Sequence, residues 1–211
     1  MNASICPTVT TNDPHEFRAQ MERVADFAAR VHIDVADGEL APNRLLPIDQ
    51  IWWPGGMRAD IHVMYRRPLE HLPALMALGP QLIILHAEAE GNFVEFAQTL
   101  HRHGCEAGVA LLPQTAVETI RPALEYIDNV LIFSGNLGHF GGQADLSLLE
   151  KVKALKSRKP QLEIGWDGGV NDQNARQLAA GGVDVLNVGG FIQNATDPRA
   201  AYATLEQAIN A

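Results

Sequence analysis

Short runs rich in β-branched and apolar residues recur eight times along this chain, spaced about 25 residues apart. They fall at Ser4 to Val9, Val31 to Val35, Arg58 to Met64, Leu82 to Ala87, Glu106 to Leu112, Asn129 to Ser134, Leu162 to Trp166 and Val183 to Val188. Segments with helical spacing follow most of them. One opens at Asp13-Pro14, a plausible N-cap and first turn, and turns Phe17, Met21, Val24, Phe27 and Ala28 inward. Others are predicted over Pro68 to Leu78, Phe93 to His103, Thr115 to Tyr126 and about Leu146 to Lys156; Asn171 or Asp172 caps a further one, and a last helix closes the chain. Eight such units specify an α/β fold, the (β/α)8 barrel of the TIM type, and 211 residues lie near the short end for it. An open doubly wound sheet is the competing arrangement, but no G-x-G-x-x-G follows the first strand. No linker divides residues 1–211, so a single barrel domain is expected, with its active site at the C-terminal ends of the strands.

Apolar residues make up 46% of the chain and charged residues 19%, an ordinary balance for a globular protein, and no apolar run reaches the roughly 20 residues of a membrane span. The start of the chain lacks the basic and apolar stretches of a signal peptide, so a cytoplasmic location is expected. Cys6 and Cys105 have no metal-type spacing and read as reduced thiols. A net charge of −9 argues against nucleic acid and anionic membrane as partners. It leaves room for an anionic metabolite held by a local device, either a metal or a ring of backbone N–H groups.

The second predicted strand runs into His32-Ile33-Asp34-Val35-Ala36-Asp37-Gly38. Alternation sends His32, Asp34 and Ala36 to one side, so an imidazole and a carboxyl share a buried face. Two ionisable groups among apolar neighbours require compensation, which a divalent cation supplies. His62, His86 and Asp167 lie at or near the C-terminal ends of other strands, the end where barrels of this kind build their sites. Nitrogen and oxygen donors in this mixture suit zinc, iron(II), manganese or cobalt.

Glycine pairs form a second constellation. Gly141-Gly142, Gly168-Gly169 and Gly189-Gly190 follow strands six, seven and eight and so fall on one face of the barrel. Bare backbone N–H groups gathered there form an anion site that needs no basic patch.

The segments His32 to Gly38, Pro42-Asn43, Asp60 to Met64, Gly141-Gly142-Gln143 and Asp167-Gly168-Gly169-Val170 together resemble the ribulose-phosphate 3-epimerase family, in order from Ser4 to about Ile192. The resemblance implies a phosphorylated ketose substrate and one divalent metal held by His32, Asp34, His62 and Asp167. It also implies that Asp34 and Asp167 act as acid and base on opposite faces of the substrate. That fits the chemistry of inverting a carbon beside a ketone, where one carboxyl removes a proton and another returns one from the far side. Ser4 matches a serine near the family's first strand and becomes a candidate substrate contact. Met64 and the glycines 141, 142, 168, 169, 189 and 190 complete the substrate-binding set. Asp37 fits a turn-fixing role. Barrels of this type associate, so a homo-oligomer is expected.

The chain also departs from the family's pattern. Ala36 and Phe133 stand where methionine is common, Glu39 where a histidine is usual and Gly190 where a serine is usual. The loop from Ser134 to Gln143 lacks a proline and is one residue longer, with His139 inside it. The leading expectation is epimerisation at C3 of D-ribulose 5-phosphate to D-xylulose 5-phosphate. Alternatives are a six-carbon ketose phosphate, such as allulose 6-phosphate, or a sugar-phosphate-binding barrel without turnover. Related phosphate-binding lyases and decarboxylases resemble a D-x-K-x-x-D pattern, and that lysine is missing here.

Overall fold

The computed structural model describes residues 3–135, 137 and 142–210. Eight parallel strands close in sequence order into one barrel. They are β1 (Ser4–Val9), β2 (Arg30–Ala36), β3 (Arg58–Met64), β4 (Leu82–His86), β5 (Glu106–Leu111), β6 (Asn129–Phe133), β7 (Glu163–Asp167) and β8 (Val185–Val188). Around them stand α1 (Pro14–Ala25), α2 (Leu72–Ala77), α3 (Phe93–Arg102), α4 (Leu149–Arg158), α5 (Ala175–Ala180), α6 (Gly190–Gln193) and α7 (Pro198–Asn210). Among the described residues no helix is long and apolar enough to cross a membrane.

Local sequence explains the helices that form cleanly. In α1, Asp13 accepts from the His15 and Glu16 amides, Pro14 occupies the first turn, and Phe17, Met21 and Val24 are buried at i, i+4 and i+7. In α3, Asn92 caps the first turn and Phe96, Ala97 and Leu100 face the sheet.

Three expected helices come out differently. Thr115 to Tyr126 forms only a 3-10 turn at Val117–Ile120. Pro122 cannot donate to a helical ladder and disfavours helix at the residue before it, and Val117, Thr119 and Ile120 are β-branched. Val117, Ile120, Ala123 and Leu124 are nevertheless buried, so the segment covers the sheet as a helix would. Pro68 to Leu78 splits into a 3-10 turn, Pro68–His71, and the short α2, because Pro73 fits only in a first turn. The helix after β7 has Asn174 at its N-cap position, not Asn171 or Asp172; the Asn174 side chain accepts from the Asn171 amide and donates to the Gly169 carbonyl.

The main apolar core lies between barrel and helices, with Trp166, Phe17, Phe96 and Met21 among its largest side chains. The barrel interior is different. It holds a small apolar layer, Leu82, Ile84, Ala110 and Leu131, with polar residues above and below it.

Candidate active site

The upper polar layer comes from three strands. In the β2–β3 ladder Asp34 lies opposite His62, and Asp167 ends β7 opposite Phe133 on one side and Asn187 on the other. Strand alternation turns His32 and Asp34 inward together. One donor atom from each of His32, Asp34, His62 and Asp167 falls within 4.8 Å of all the others. His62 Nδ1 is 2.9 Å from Asp34 Oδ1 and 3.9 Å from Asp167 Oδ2. His32 Nε2 is 3.3 Å from Asp34 Oδ1 and 4.0 Å from Asp167 Oδ2.

These groups perturb one another. Burial pushes the Asp167 carboxyl up and the nearby Asp34 charge adds to it, bringing Asp167 to about 6. Burial also works against ionised Asp34, but the His32 and His62 imidazoles outweigh it and hold Asp34 far below the ordinary carboxylate range. For His32 burial favours the neutral ring, and the Asp34 and Asp167 carboxylates more than reverse this and raise its pKa. Two carboxyls are thus driven apart in acidity, the pattern that separates an acid from a base.

Neither ring nitrogen of His32 has a hydrogen-bond partner among the described residues, although the ring is fully buried. A buried imidazole with an orphan nitrogen aimed at two carboxylates is an incomplete arrangement. A divalent cation completes it, and two nitrogen and two oxygen donors suit a first-row ion. The four residues therefore fit a metal.

Above this layer an open cavity of about 310 Å³ is lined by Thr8, Thr10, Asp34, Met64, Phe133 and Asp167, and by the backbone of Gly142, Gly168, Gly169, Gly189 and Gly190. The glycines serve two purposes. Gly168, at φ +110°, approaches the β6 loop so closely that a Cβ there would sit 2.6 Å from the Gly135 nitrogen, and Gly169 is pressed in the same way against the backbone at Gln143 and Ala144. At Gly189 and Gly190 a Cβ would meet nothing closer than 3.4 Å. Packing does not demand glycine there, and its effect is to leave bare backbone facing the cavity.

Most of the expected residues converge on this mouth, and Met64 packs beside Ala36, Ala41 and Leu45. Gly141 and His139 lie outside the described residues. Ser4 is not brought to the site. It pairs with Val185 where β1 and β8 begin, and its hydroxyl donates to the Asp184 carbonyl. That end of β1 is roughly 13 Å below Thr8, since four strand residues rise about 3.3 Å each.

The residues of β1 that do reach the cavity are Thr8, whose buried hydroxyl has no partner among the described residues, and Thr10, which donates to Asp34 Oδ2. Alternation about buried Val9 was the signal for both. Asp37 accepts from the Glu39, Leu40 and Arg66 amides and fixes the loop. Glu39 points away to Arg67, 3.2 Å distant. His86 stands behind His62, their Nε2 atoms 2.8 Å apart, and its burial lowers its pKa to about 4.

Fold and site define a (β/α)8 barrel enzyme with a carboxyl and imidazole centre at its mouth. The family model described as the ribulose-phosphate 3 epimerase family matches residues 4–193. The ribulose-phosphate 3-epimerase of Helicobacter pylori is 34% identical over 212 residues, covering 96% of each chain. That of Mycobacterium bovis is 32% identical, covering 94% of this chain and 92% of its own. Among solved structures, 3-hexulose-6-phosphate synthase from Salmonella typhimurium superposes with a TM-score of 0.73 over 98% of both chains at 17% identity, a likeness of fold alone. The chain belongs to the ribulose-phosphate 3-epimerase family, and by that membership it is an isomerase.

Proposed function

We propose that the protein is a metal-dependent 3-epimerase of a ketose phosphate, interconverting D-ribulose 5-phosphate and D-xylulose 5-phosphate. The observation that carries this reading is that two carboxyls lining one cavity, Asp34 and Asp167, meet two buried imidazoles, His32 and His62, with donor atoms all within 4.8 Å of one another. His32, Asp34, His62 and Asp167 would hold the divalent ion. Bound there, it supplies positive charge beside the substrate oxygens and so increases the acidity of the neighbouring C–H.

The protein's own groups do the rest. One of the two carboxyls, as carboxylate, removes the C3 proton from one face, and the other, as acid, delivers a proton to the opposite face. Thr10 orients Asp34 through its hydroxyl, and Met64 and Phe133 exclude water above the reacting carbon. The backbone of Gly142, Gly168, Gly169, Gly189 and Gly190 receives the phosphate, which removes any need for basic side chains in a protein of net charge −9. A cytoplasmic homo-oligomer is the setting this reading implies.

Proton NMR of the metal-loaded protein with ribulose 5-phosphate in deuterated buffer tests the proposal. Loss of the C3 proton signal together with appearance of xylulose 5-phosphate is expected. Phe133 lines the cavity where methionine is common in the family, and that change of ceiling favours a six-carbon ketose phosphate as the second reading. Exchange with allulose 6-phosphate but not with ribulose 5-phosphate selects it, and binding of either sugar without exchange overturns both in favour of a binding barrel.

A further inference from the structure

Behind the four candidate ligands runs a line of contacts that the proposed proton transfers do not use. His62 Nδ1 is 2.9 Å from Asp34 Oδ1, His62 Nε2 is 2.8 Å from His86 Nε2, and His86 Nδ1 is 3.2 Å from Glu88 Oε2. Both rings are fully buried. The line therefore has a carboxylate at each end, two imidazoles between them and three close contacts. A neutral imidazole carries one N–H, so the pair supplies two protons for three contacts. One contact must lack a hydrogen.

With a metal ion held beside Asp34, the contact between His62 and Asp34 needs no hydrogen, and Glu88 fixes the line from the other end. Its other oxygen accepts from the Thr115 hydroxyl and the Leu112 amide, so every group around it is a donor and it stands as an ionised acceptor. Lys151 pins that loop, donating to the Leu112, Pro113 and Thr115 carbonyls. Facing Glu88, His86 carries its hydrogen on Nδ1 and presents a bare Nε2 to His62. His62 then donates from Nε2 and turns the lone pair of Nδ1 toward Asp34 and Asp167. A lone pair set 2.9 Å from a carboxylate oxygen is repulsive unless a cation lies between them.

We propose that Glu88 and His86 are positioning residues that fix His62 in the tautomer with Nδ1 bare, so that the cluster of His32, Asp34, His62 and Asp167 is set for a metal ion and not for a closed internal hydrogen bond. The inference rests on the metal reading given above. It extends the general rule that ligating histidines are oriented by a carboxylate, here acting through a second imidazole.

Two measurements on the whole 211-residue chain test it. Long-range proton–nitrogen NMR of the zinc-loaded protein reads the tautomers directly, and His86 protonated at Nδ1 with His62 protonated at Nε2 is expected. Competition with a chelator then gives zinc affinity. Glu88→Ala is expected to weaken it about 10- to 100-fold, with Glu88→Asp recovering most of the loss. Thr115→Val leaves the contact between Glu88 and His86 in place and is expected to change affinity less than about threefold.

Glu88 is partly exposed and His86 is not, so Glu88→Ala tests the line without emptying the core. His86 protonated at Nε2, or unchanged zinc affinity in Glu88→Ala, overturns the positioning role while leaving the metal reading intact. An equal loss in Thr115→Val overturns it too, because Glu88 would then act through its loop. A wild-type protein that takes up no zinc, cobalt, manganese or iron(II) overturns the metal reading and this inference with it.

Discussion

The two ends of the barrel interior hold similar kinds of side chain and treat them in opposite ways. At the N-terminal end, Arg30 reaches Asp60 through Nε at 2.7 Å and grips Glu163 with both terminal nitrogens at 2.9 and 2.8 Å, and Asn129 donates to Glu163 at 2.9 Å. One cation on the chain itself answers two carboxylates. At the C-terminal end two carboxyls meet two imidazoles, and no lysine or arginine is among the described residues that line the cavity. The lower cluster carries its own cation in Arg30, which reaches both carboxylates, and this serves the fold. The upper one has no such cation and forms a group that could hold a metal ion, which is why the proposed chemistry is placed there.

Removing a charged group should therefore act chiefly on turnover at the upper end and on stability at the lower. Asp34→Asn and Asp167→Asn are each expected to cut epimerase turnover by about 1,000-fold or more, in line with loss of a general acid or base. Without metal, Asp167→Asn should melt no lower than the parent, since it relieves a carboxyl raised by burial and by Asp34, whereas Asp34→Asn should melt lower, since it removes the charge that the two imidazoles hold. Turnover by NMR and melting by calorimetry check both parts, and a variant that keeps full turnover breaks the comparison.

Arg30→Met should do the reverse, costing about 3 kcal/mol of stability by stranding Glu163 and Asp60 while kcat and KM stay within a few-fold. The pH dependence sharpens this. Burial raises the Glu163 carboxyl, but Arg30 outweighs it and holds Glu163 below its ordinary 4.5. A lowered carboxyl contributes stability above its unfolded value, and that contribution is lost as pH falls through the folded one. The melting difference between the parent and Glu163→Gln is thus expected to be largest above pH 4.5 and to shrink in more acidic buffer. Asp60, raised by burial despite Arg30, has the opposite sign, and the Glu163 charge adds to its rise.

The smallest effect distinguishes the two ends of a single strand. Thr8→Val removes a hydroxyl that faces the cavity without a partner and is expected to raise KM about tenfold, the cost of one lost hydrogen bond to a substrate. Ser4→Ala, at the far end of β1, should leave steady-state kinetics unchanged.

How much of this was legible beforehand follows from how far each signal reaches along the chain. Strand order, the cap at Asp13 and the inward face of His32, Asp34 and His62 depend on neighbours within a few residues, and period-2 alternation displays them directly. The same rule, applied to β1 from Val9 instead of from a resembling serine, places Thr8 and Thr10 at the mouth. Thr115 to Tyr126 misled because burial every three to four residues reads as a helix whether or not Pro122 allows one.

By itself, then, the sequence determined a (β/α)8 barrel, its family and the four residues that could hold a metal, because strand period and motif are local properties of the chain. Only the tertiary structure decided that Ser4 lies at the closed end. It also decided that Gly168 and Gly169 are demanded by backbone contact whereas Gly189 and Gly190 are not. The line from Glu88 through His86 to His62 is likewise tertiary, since it joins side chains from separate strands and a loop, and such contacts exist only once closure of the barrel has fixed their distances.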